Sequence, residues 1–166
     1  EADRLVLVVD GRAGLTTEDI AVARLLQRAG KPVVLAINKA EGLDPGVVAA
    51  EFHRLGLGKP YAISASHGQR CDALLNEALA GLTAEPTAPE ENDDSIRIAV
   101  IGRPNVGKST LVNRLIGEER VIAAELAGTT RDSIFVPFER DGRKFTLIDT
   151  AGVRRRARVN DAVERA

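Results

Sequence analysis

The stretch "IGRPNVGKST", residues 101–110, restricts the fold of this chain of 166 residues more than any other part of the sequence. Gly102, Gly107, Lys108 and Ser109 match the pattern G-x-x-x-x-G-K-S in full, after the apolar run "IRIAV" and before an apolar-periodic stretch. A strand, a glycine-rich turn and a helix in this order direct backbone N–H groups and the positive end of a helix dipole at one point. We therefore expect an α/β fold with a polyphosphate site.

Side chains in and after this stretch complete a predicted phosphate and metal site. Lys108 would reach the β- and γ-phosphates, and the Ser109 hydroxyl is a hard oxygen ligand that suits Mg²⁺. In "LIDTAG", Asp149 ends a predicted strand and would hold the magnesium ion directly or through water, while the Gly152 amide can approach a γ-phosphate. A threonine of "AGTTRD" would add a hydroxyl to the metal, and we prefer Thr130 to its neighbour.

The bulk composition sets limits on the fold and on the partners. A chain of this length can bury one complete core, or two half-cores that need each other. Its formal net charge of -1 gives no broad attraction to nucleic acid or to an acidic membrane. Cys71 is the only cysteine, which excludes an internal disulfide and fits a reducing cytosol. No apolar run approaches the roughly 18 residues of a membrane span, so we expect a cytoplasmic protein with no membrane partner.

Residues 1–82 contain three consecutive strand–helix units, which predict a parallel sheet with right-handed crossovers. Buried strands are predicted at 5–9, 32–38 and 61–66. The first helix is predicted to begin after a Thr16 cap, with Asp19 three residues later, and to end at Gly30. The other two helices are predicted at 45–55, after a proline start, and at 71–82.

The character of the sequence changes abruptly at residues 83–95. This segment, "TAEPTAPEENDDS", has two prolines and five carboxylates but no large apolar side chain, so burial cannot offset the entropy of ordering it. We predict an acidic linker there. The second half, residues 96–166, continues with a strand over 96–102, a helix through about Leu115, and a hairpin of "SIFVPFE" and "KFTLIDT" around an Asp-Gly turn.

Two patterns at strand ends of the first half suit the recognition of a base, because ligands collect at the carboxyl ends of parallel strands. In "NKAE", a carboxylate at Glu41 can accept hydrogen bonds from the adjacent N1–H and 2-amino groups of guanine, which adenine lacks. Asn38 would bond to the base or brace the phosphate loop, and the stem of Lys39 would cover the ring. In "SAS", Ser64 and Ala65 would shape the floor beneath the base oxygen O6.

These motifs resemble the Der (EngA) family, bacterial GTPases with two tandem G domains that act in assembly of the large ribosomal subunit. "PVVLAINKAEG" and "AISASHG" are similar to the end of the first G domain, whereas "IRIAVIGRPNVGKSTLVNRLIGEERVI", "AGTTRDSI" and "FTLIDTAGVRR" are similar to the start of the second. The resemblance implies a three-layer P-loop NTPase fold (a G domain) with a mostly parallel sheet and with motifs in circularly permuted order. It assigns 1–82 to the second half of a first G domain and 96–166 to the first half of a second, joined by the linker. The two halves either belong to separate domains or close into one sheet.

The resemblance also implies functional residues, ligands and partners. Asn105 in "RPNVGKS" matches an asparagine that binds a potassium ion in similar GTPases, and Val106 and Thr110 join the nucleotide-binding set. Val153 stands where Ras-like GTPases carry a water-orienting glutamine, so intrinsic hydrolysis is expected to be slow. The implied ligands are GTP and GDP with Mg²⁺ and K⁺, and the implied partner is the large ribosomal subunit or its precursor. The implied catalytic group is Lys108, Asn105, Thr130 and Gly152.

Glu41 departs from the guanine pattern, which normally has aspartate at this position, and the extra methylene loosens the geometry. An ATP-dependent P-loop enzyme therefore stays open as an alternative. A second alternative is an interaction module that binds a partner but hydrolyses no nucleotide, because its two half-sites never meet. The basic cluster of the last residues would either contact RNA phosphates or form a solvated helix start; its members are Arg154, Arg155, Arg156 and Arg158.

Overall fold

The computed structural model describes residues 2–82, 95–118, 134–140 and 143–149. Four of the sequence predictions lie outside these ranges: the linker up to residue 94, the Asp-Gly turn, the "AGTTRD" segment with Thr130, and Gly152 with the basic cluster after it.

The described residues form six strands, four α-helices and one short 3₁₀ turn. In the first half they are β1 (Arg4–Asp10), α1 (Thr17–Ala29), β2 (Val33–Asn38), α2 (Pro45–Phe52), the 3₁₀ turn (His53–Leu55), β3 (Pro60–Ala62) and α3 (Cys71–Leu79). In the second half they are β4 (Ile96–Ile101), α4 (Lys108–Glu118), β5 (Ile134–Arg140) and β6 (Arg143–Asp149).

The strands form one sheet in the order β3-β2-β1-β4-β6-β5. All neighbouring strands are parallel except β5, which pairs antiparallel with β6. Strand β1 of the first half pairs with β4 of the second, so that Leu5 lies opposite Ala99 and Val6 lies opposite Val100. The two halves therefore share one sheet, and β4, which leads into the phosphate loop, lies between strands of both halves.

Successive side chains of the central strands pack on opposite faces of this sheet, as the two-residue period of a strand requires. In β1, Val6 and Val8 belong to a core cluster with side chains of α3 and α4, whereas Leu7 and Val9 belong to a second cluster with side chains of α1 and α2. The helices thus form two outer layers around the sheet. The predicted three-layer α/β fold with a mostly parallel sheet is confirmed.

Local sequence signals determine where the first two helices begin. Helix α1 starts at the predicted capping box, in which the Asp19 amide donates to the Thr16 hydroxyl and the Thr16 amide donates to the Asp19 carboxylate. It ends before Gly30, which has the left-handed conformation of a helix C-cap. Helix α2 is capped by Asp44, whose carboxylate accepts hydrogen bonds from the second and third amides after it, at 2.8 and 2.9 Å.

Strand β3 is shorter than its sequence predicts, because it ends at Ala62 and the prediction extended to residue 66. The backbone of Ser64 pairs with that of Gln69 through two hydrogen bonds of 3.0 Å, so the chain turns back on itself immediately after the strand. The "SAS" residues therefore lie in a turn at the edge of the sheet.

Boundaries on either side of the predicted linker also differ from the predictions. Helix α3 ends at Leu79 because Ala80 is extended, and α4 continues as far as Glu118. Ser95, predicted as the last linker residue, is buried, and its hydroxyl is 2.7 Å from that of Thr146 in β6. The folded second half therefore begins one residue earlier than expected.

The shared core predicts that the two halves unfold together. Leu111 of α4 is fully buried in the cluster that α3 also joins, so Leu111→Ala is expected to lower the free energy of unfolding by about 2–5 kcal/mol. Amide hydrogen exchange is expected to accelerate equally in β1 and β4. Leu25→Ala, at a side chain that is 63% exposed, is the matched control and should change stability by less than about 0.5 kcal/mol. Faster exchange confined to the second half would contradict the prediction.

Candidate nucleotide site

The phosphate loop connects the end of β4 to the start of α4. Each of its two motif glycines has a positive φ angle and lies where a Cβ atom would collide with a neighbouring residue. Gly102 has φ +155° and Gly107 has φ +99°. A Cβ atom on Gly102 would collide with the Val8 carbonyl oxygen of β1, and one on Gly107 would collide with the Asn38 side-chain amide of β2. The loop therefore depends on glycine at both positions to approach the first half of the chain.

Lys108, the first residue of α4, extends its side chain back along the loop. It is only 6% exposed, and its Nζ donates to the carbonyl oxygens of Gly102 at 2.8 Å and Arg103 at 2.6 Å. These bonds hold the ammonium group against the loop. Within the same motif, the Val106 side chain is buried. Ser109 is half-buried and lies in the first turn of α4.

Asn105 and Thr110 are exposed members of the predicted nucleotide-binding set. Asn105 lies in the loop with φ +65°, a left-handed conformation that asparagine tolerates better than most residues. Thr110 lies in the first turn of α4.

Asn38 ends β2 and connects three parts of the site. Its side chain is nearly completely buried, at 3% exposed. The Nδ2 atom donates to the Val106 carbonyl at 2.7 Å, and the Oδ1 atom accepts from the Ala65 amide at 2.9 Å. Of the two roles considered for Asn38, its contacts correspond to bracing the phosphate loop. The "NKAE" and "SAS" motifs of the first half thereby meet the loop of the second.

Lys39 and Glu41 are tied to the loop that follows β1. Lys39 has φ +62°, and its Nζ lies 2.6 Å from Asp10 Oδ2. The other oxygen of Asp10 accepts from the Arg12 amide at 2.9 Å. The Arg12 guanidinium in turn lies 2.7 Å from Glu41 Oε1. Sequence reasoning missed Asp10 and Arg12, although the position of Asp10 at the carboxyl end of a buried strand was a usable signal.

The carboxylates of this network have lowered pKa values. Burial by itself would raise the pKa of Asp10, but the hydrogen bonds from Lys39 and from the amides after it outweigh this effect. The pKa of Glu41 is lowered mainly by its own backbone amide, then by the Ser64 hydroxyl, with a further contribution from Arg12. Both groups are therefore charged at neutral pH.

The "SAS" turn is held from two sides. The buried Ser64 places its hydroxyl 2.9 Å from His67 Nδ1, and the Ser66 hydroxyl lies 3.0 Å from the same nitrogen. Gly68 follows with φ +66°, and a Cβ atom there would collide with the guanidinium of Arg114 from α4. The helix that follows the phosphate loop thus packs directly on the base-side turn.

Arg103, inside the phosphate loop, forms an ion pair that sequence reasoning also missed. Its Nε and Nη2 donate to the two carboxylate oxygens of Asp19 at 2.8 and 3.3 Å. Asp19 is 1% exposed and also accepts from Thr16 in the capping box of α1. The Asp19 hydrogen bond raises the pKa of Arg103, which stays charged. The start of α1 and the phosphate loop are therefore coupled through one buried carboxylate.

The predicted metal ligands are described only in part. The backbone of Asp149 ends β6 beside Val100 of β4, so its strand finishes at the same edge of the sheet as the phosphate loop. Thr130 and Gly152 lie outside the described residues.

A parallel sheet with a G-x-x-x-x-G-K-S loop after its central strand, and with an asparagine of "NKAE" bonded to that loop, defines a P-loop G domain. Its base-side elements come before the phosphate loop along the chain. The comparisons with known proteins agree with this class, because residues 97–166 match a family model described as a 50S ribosome-binding GTPase.

Curated relatives match nearly the whole chain. GTPase Der of Azoarcus sp. (strain BH72) is 58% identical over 165 residues, which are 99% of this chain and 37% of the relative. GTPase Der of Nitrosospira multiformis is 57% identical over 99% of this chain and 35% of the relative. Nearly the whole chain thus matches GTPase Der as a fragment of such a protein would, and it spans little more than a third of the length of the relatives it matches.

A solved structure supports the fold. The crystal structure of YjeQ from Thermotoga maritima superposes with a TM-score of 0.55 at 22% sequence identity, over 90% of this chain and 47% of that chain.

Within the described ranges, no helix combines the length and the apolar character that a membrane crossing requires.

The pair between Arg103 and the buried carboxylate of Asp19 predicts a large effect of Asp19 on stability. Asp19→Ala is expected to lower the free energy of unfolding by about 3 kcal/mol, because it removes the carboxylate half of the capping box of α1 and leaves Arg103 without its counter-charge. Asp44→Ala is the matched control, since Asp44 caps α2 without an ion pair, and about 1 kcal/mol is expected. Urea unfolding of the two variants measures the difference. Equal losses would mean that the ion pair contributes nothing beyond a helix cap.

Proposed function

We propose that the chain binds GTP and GDP with magnesium, and hydrolyses GTP slowly, at one composite site that its two halves form together. The observation that carries this proposal is the buried Asn38 amide, which bonds at once to Val106 of the phosphate loop and to Ala65 of the base-side turn. In an interaction module whose half-sites never meet, this contact would have no role.

The phosphate half of the site is supported by the geometry of the loop. The Lys108 ammonium already lies against the loop carbonyls, and the N-terminus of α4 begins at the same residue. A β- or γ-phosphate would replace neutral carbonyl acceptors with a charged one, which strengthens the hydrogen bonds. The helix dipole adds to the attraction.

The base half of the site is supported by the carboxylate of Glu41. Its Oε2 atom is buried and has no hydrogen-bond partner within the residues that the structure describes. A buried carboxylate oxygen without a donor is unfavourable. The adjacent N1–H and 2-amino groups of guanine would supply donors, whereas adenine offers none at this edge, so guanine is the preferred base.

Magnesium would be held by the hydroxyls of Ser109 and Thr130 and, directly or through water, by the carboxylate of Asp149. All three are hard oxygen ligands, which fit this ion. The start of α4 and the end of β6 lie at the same edge of the sheet, which supports a shared ion between Ser109 and Asp149. When bound, magnesium would neutralise charge on the phosphates, and Gly152 would offer its amide to the γ-phosphate.

We also propose that Asn105 binds potassium beside the phosphates. Such an ion would supply the positive charge that an arginine finger supplies elsewhere, an effect of about 10³ to 10⁵ in rate. GTP hydrolysis measured in potassium and in sodium chloride at equal ionic strength is expected to be faster in potassium, and Asn105→Ala should abolish the difference. A rate unchanged by the exchange of salts would contradict this role.

Val153, in place of a water-orienting glutamine, keeps the basal rate low.

The protein of which this chain forms a part would act in the cytoplasm, in assembly of the large ribosomal subunit. The family description names 50S ribosome binding, and the relatives are named GTPase Der. In such a protein, residues 1–82 would complete a first G domain, 83–95 would form the acidic linker, and 96–166 would begin a second. Loops around Thr130 and Gly152 would respond to the γ-phosphate and change affinity for a pre-ribosomal particle.

Nucleotide titration tests the proposal. The full chain with magnesium is expected to bind GDP and GTP more tightly than ADP and ATP. Lys108→Ala should weaken GDP binding roughly 10- to 100-fold, because it removes charge-assisted bonds to phosphate. Lys144→Ala, which removes an exposed lysine of β6 in the same half, is the matched control and should have no effect. Preference for ATP would favour the ATP-dependent enzyme, and absence of any binding would favour the interaction module.

A further inference from the structure

The ion pair between Arg12 and Glu41 joins two loops that belong to different strand ends. Arg12 follows β1, and its backbone amide is fixed by the carboxylate of Asp10 at 2.9 Å. Asp10 is itself fixed by the ammonium of Lys39 at 2.6 Å. The Arg12 side chain therefore extends from an anchored loop to reach Glu41 Oε1 at 2.7 Å.

This contact acts on the side chain that departs from the guanine pattern. Glutamate has one more rotatable bond than aspartate, so a free Glu41 would lose more conformational freedom when it orders around a base. Arg12 occupies only one of the two carboxylate oxygens. The other, Oε2, is the buried oxygen without a partner among the described residues. The ion pair thus helps to hold a carboxylate on which the Glu41 amide and the Ser64 hydroxyl also act, and it leaves Oε2 available for a ligand.

We propose that Arg12 is a specificity-determining positioning residue, which holds Glu41 so that its free oxygen accepts from guanine. This inference rests on the proposed function, because it takes Glu41 as the group that reads the base. Arg12 acts through Glu41 and does not itself contact the base edge. The pre-ordered carboxylate binds guanine without a further loss of side-chain entropy. It also disfavours adenine, which brings no donor to the buried oxygen.

A double-mutant cycle tests this role, because aspartate at position 41 is shorter and needs no such support. Titrations of the full chain with magnesium would compare GDP and ADP binding to wild type, Arg12→Ala, Glu41→Asp and the double variant. Because the Arg12 side chain is 59% exposed, Arg12→Ala is expected to weaken GDP binding roughly three- to fivefold and to leave ADP binding unchanged, so that the guanine preference falls by the same factor. In the Glu41→Asp background, Arg12→Ala should change GDP binding by less than about twofold.

Two further variants keep the test decisive. Arg24→Ala removes an exposed arginine of α1 and should leave both affinities unchanged. Arg12→Gln retains a donor and a side chain of similar length, so it should keep part of the guanine preference and replaces Arg12→Ala if that variant does not fold.

Three results would overturn the inference while the proposed function stands. GDP binding that tightens on Arg12→Ala would show that the ion pair blocks the base site. Equal loss of GDP and ADP binding would show that Arg12 only supports the loop, and an equal effect in both backgrounds at position 41 would show that it acts independently of Glu41. A wild-type chain that does not bind GDP would overturn the proposed function itself.

Discussion

The buried side-chain amide of Asn38 is the contact on which the site depends, because it fixes the spacing of the two halves at the place where a nucleotide would lie. Both of its polar atoms are bonded to backbone groups, one in the phosphate loop and one in the base-side turn. A buried amide that loses its partners costs about 1–3 kcal/mol, so the loop and the turn cannot separate without that loss. Gly107 makes the contact possible, since any side chain there would collide with the amide.

The reversed order of the motifs is compatible with one site because a parallel sheet gathers loops by the position of their strands and not by their order in the chain. The base-side motifs "NKAE" and "SAS" follow β2 and β3, and the phosphate loop follows β4, which is separated from β2 only by β1 in the sheet. The central residues of β1 and β4 are apolar on both faces, as strands covered by helices on two sides must be. The same set of loops can therefore form whether the base-side strands or the phosphate-loop strand comes first in the chain.

Features that depend on nearby residues were predictable from the sequence, and those that depend on the folded sheet were not. The spacing of the phosphate loop, the capping box of α1 and the apolar strands are local signals. In contrast, the partners in the pairs Arg103–Asp19 and Arg12–Glu41 are 84 and 29 residues apart, and a long charged side chain has no local signature of its partner. Strand β3 was overestimated because Ile63 is fully buried in the turn that follows the strand, so its apolar character did not mark the boundary.

The charges at this edge of the sheet are arranged so that most of them cancel. Three ion pairs of the described residues lie there, each between different loops or elements: Lys39 with Asp10, Arg12 with Glu41, and Arg103 with Asp19. Because each pair is neutral, attraction for a polyphosphate would come from the Lys108 ammonium, the loop amides and the start of α4. The ammonium is already held by two carbonyl groups, so phosphate binding would exchange its acceptors and lose little side-chain entropy. The paired charges then serve to fix loop positions, and under the proposed function discrimination between bases would depend on Glu41 Oε2, a buried carboxylate oxygen that has no donor among the described residues.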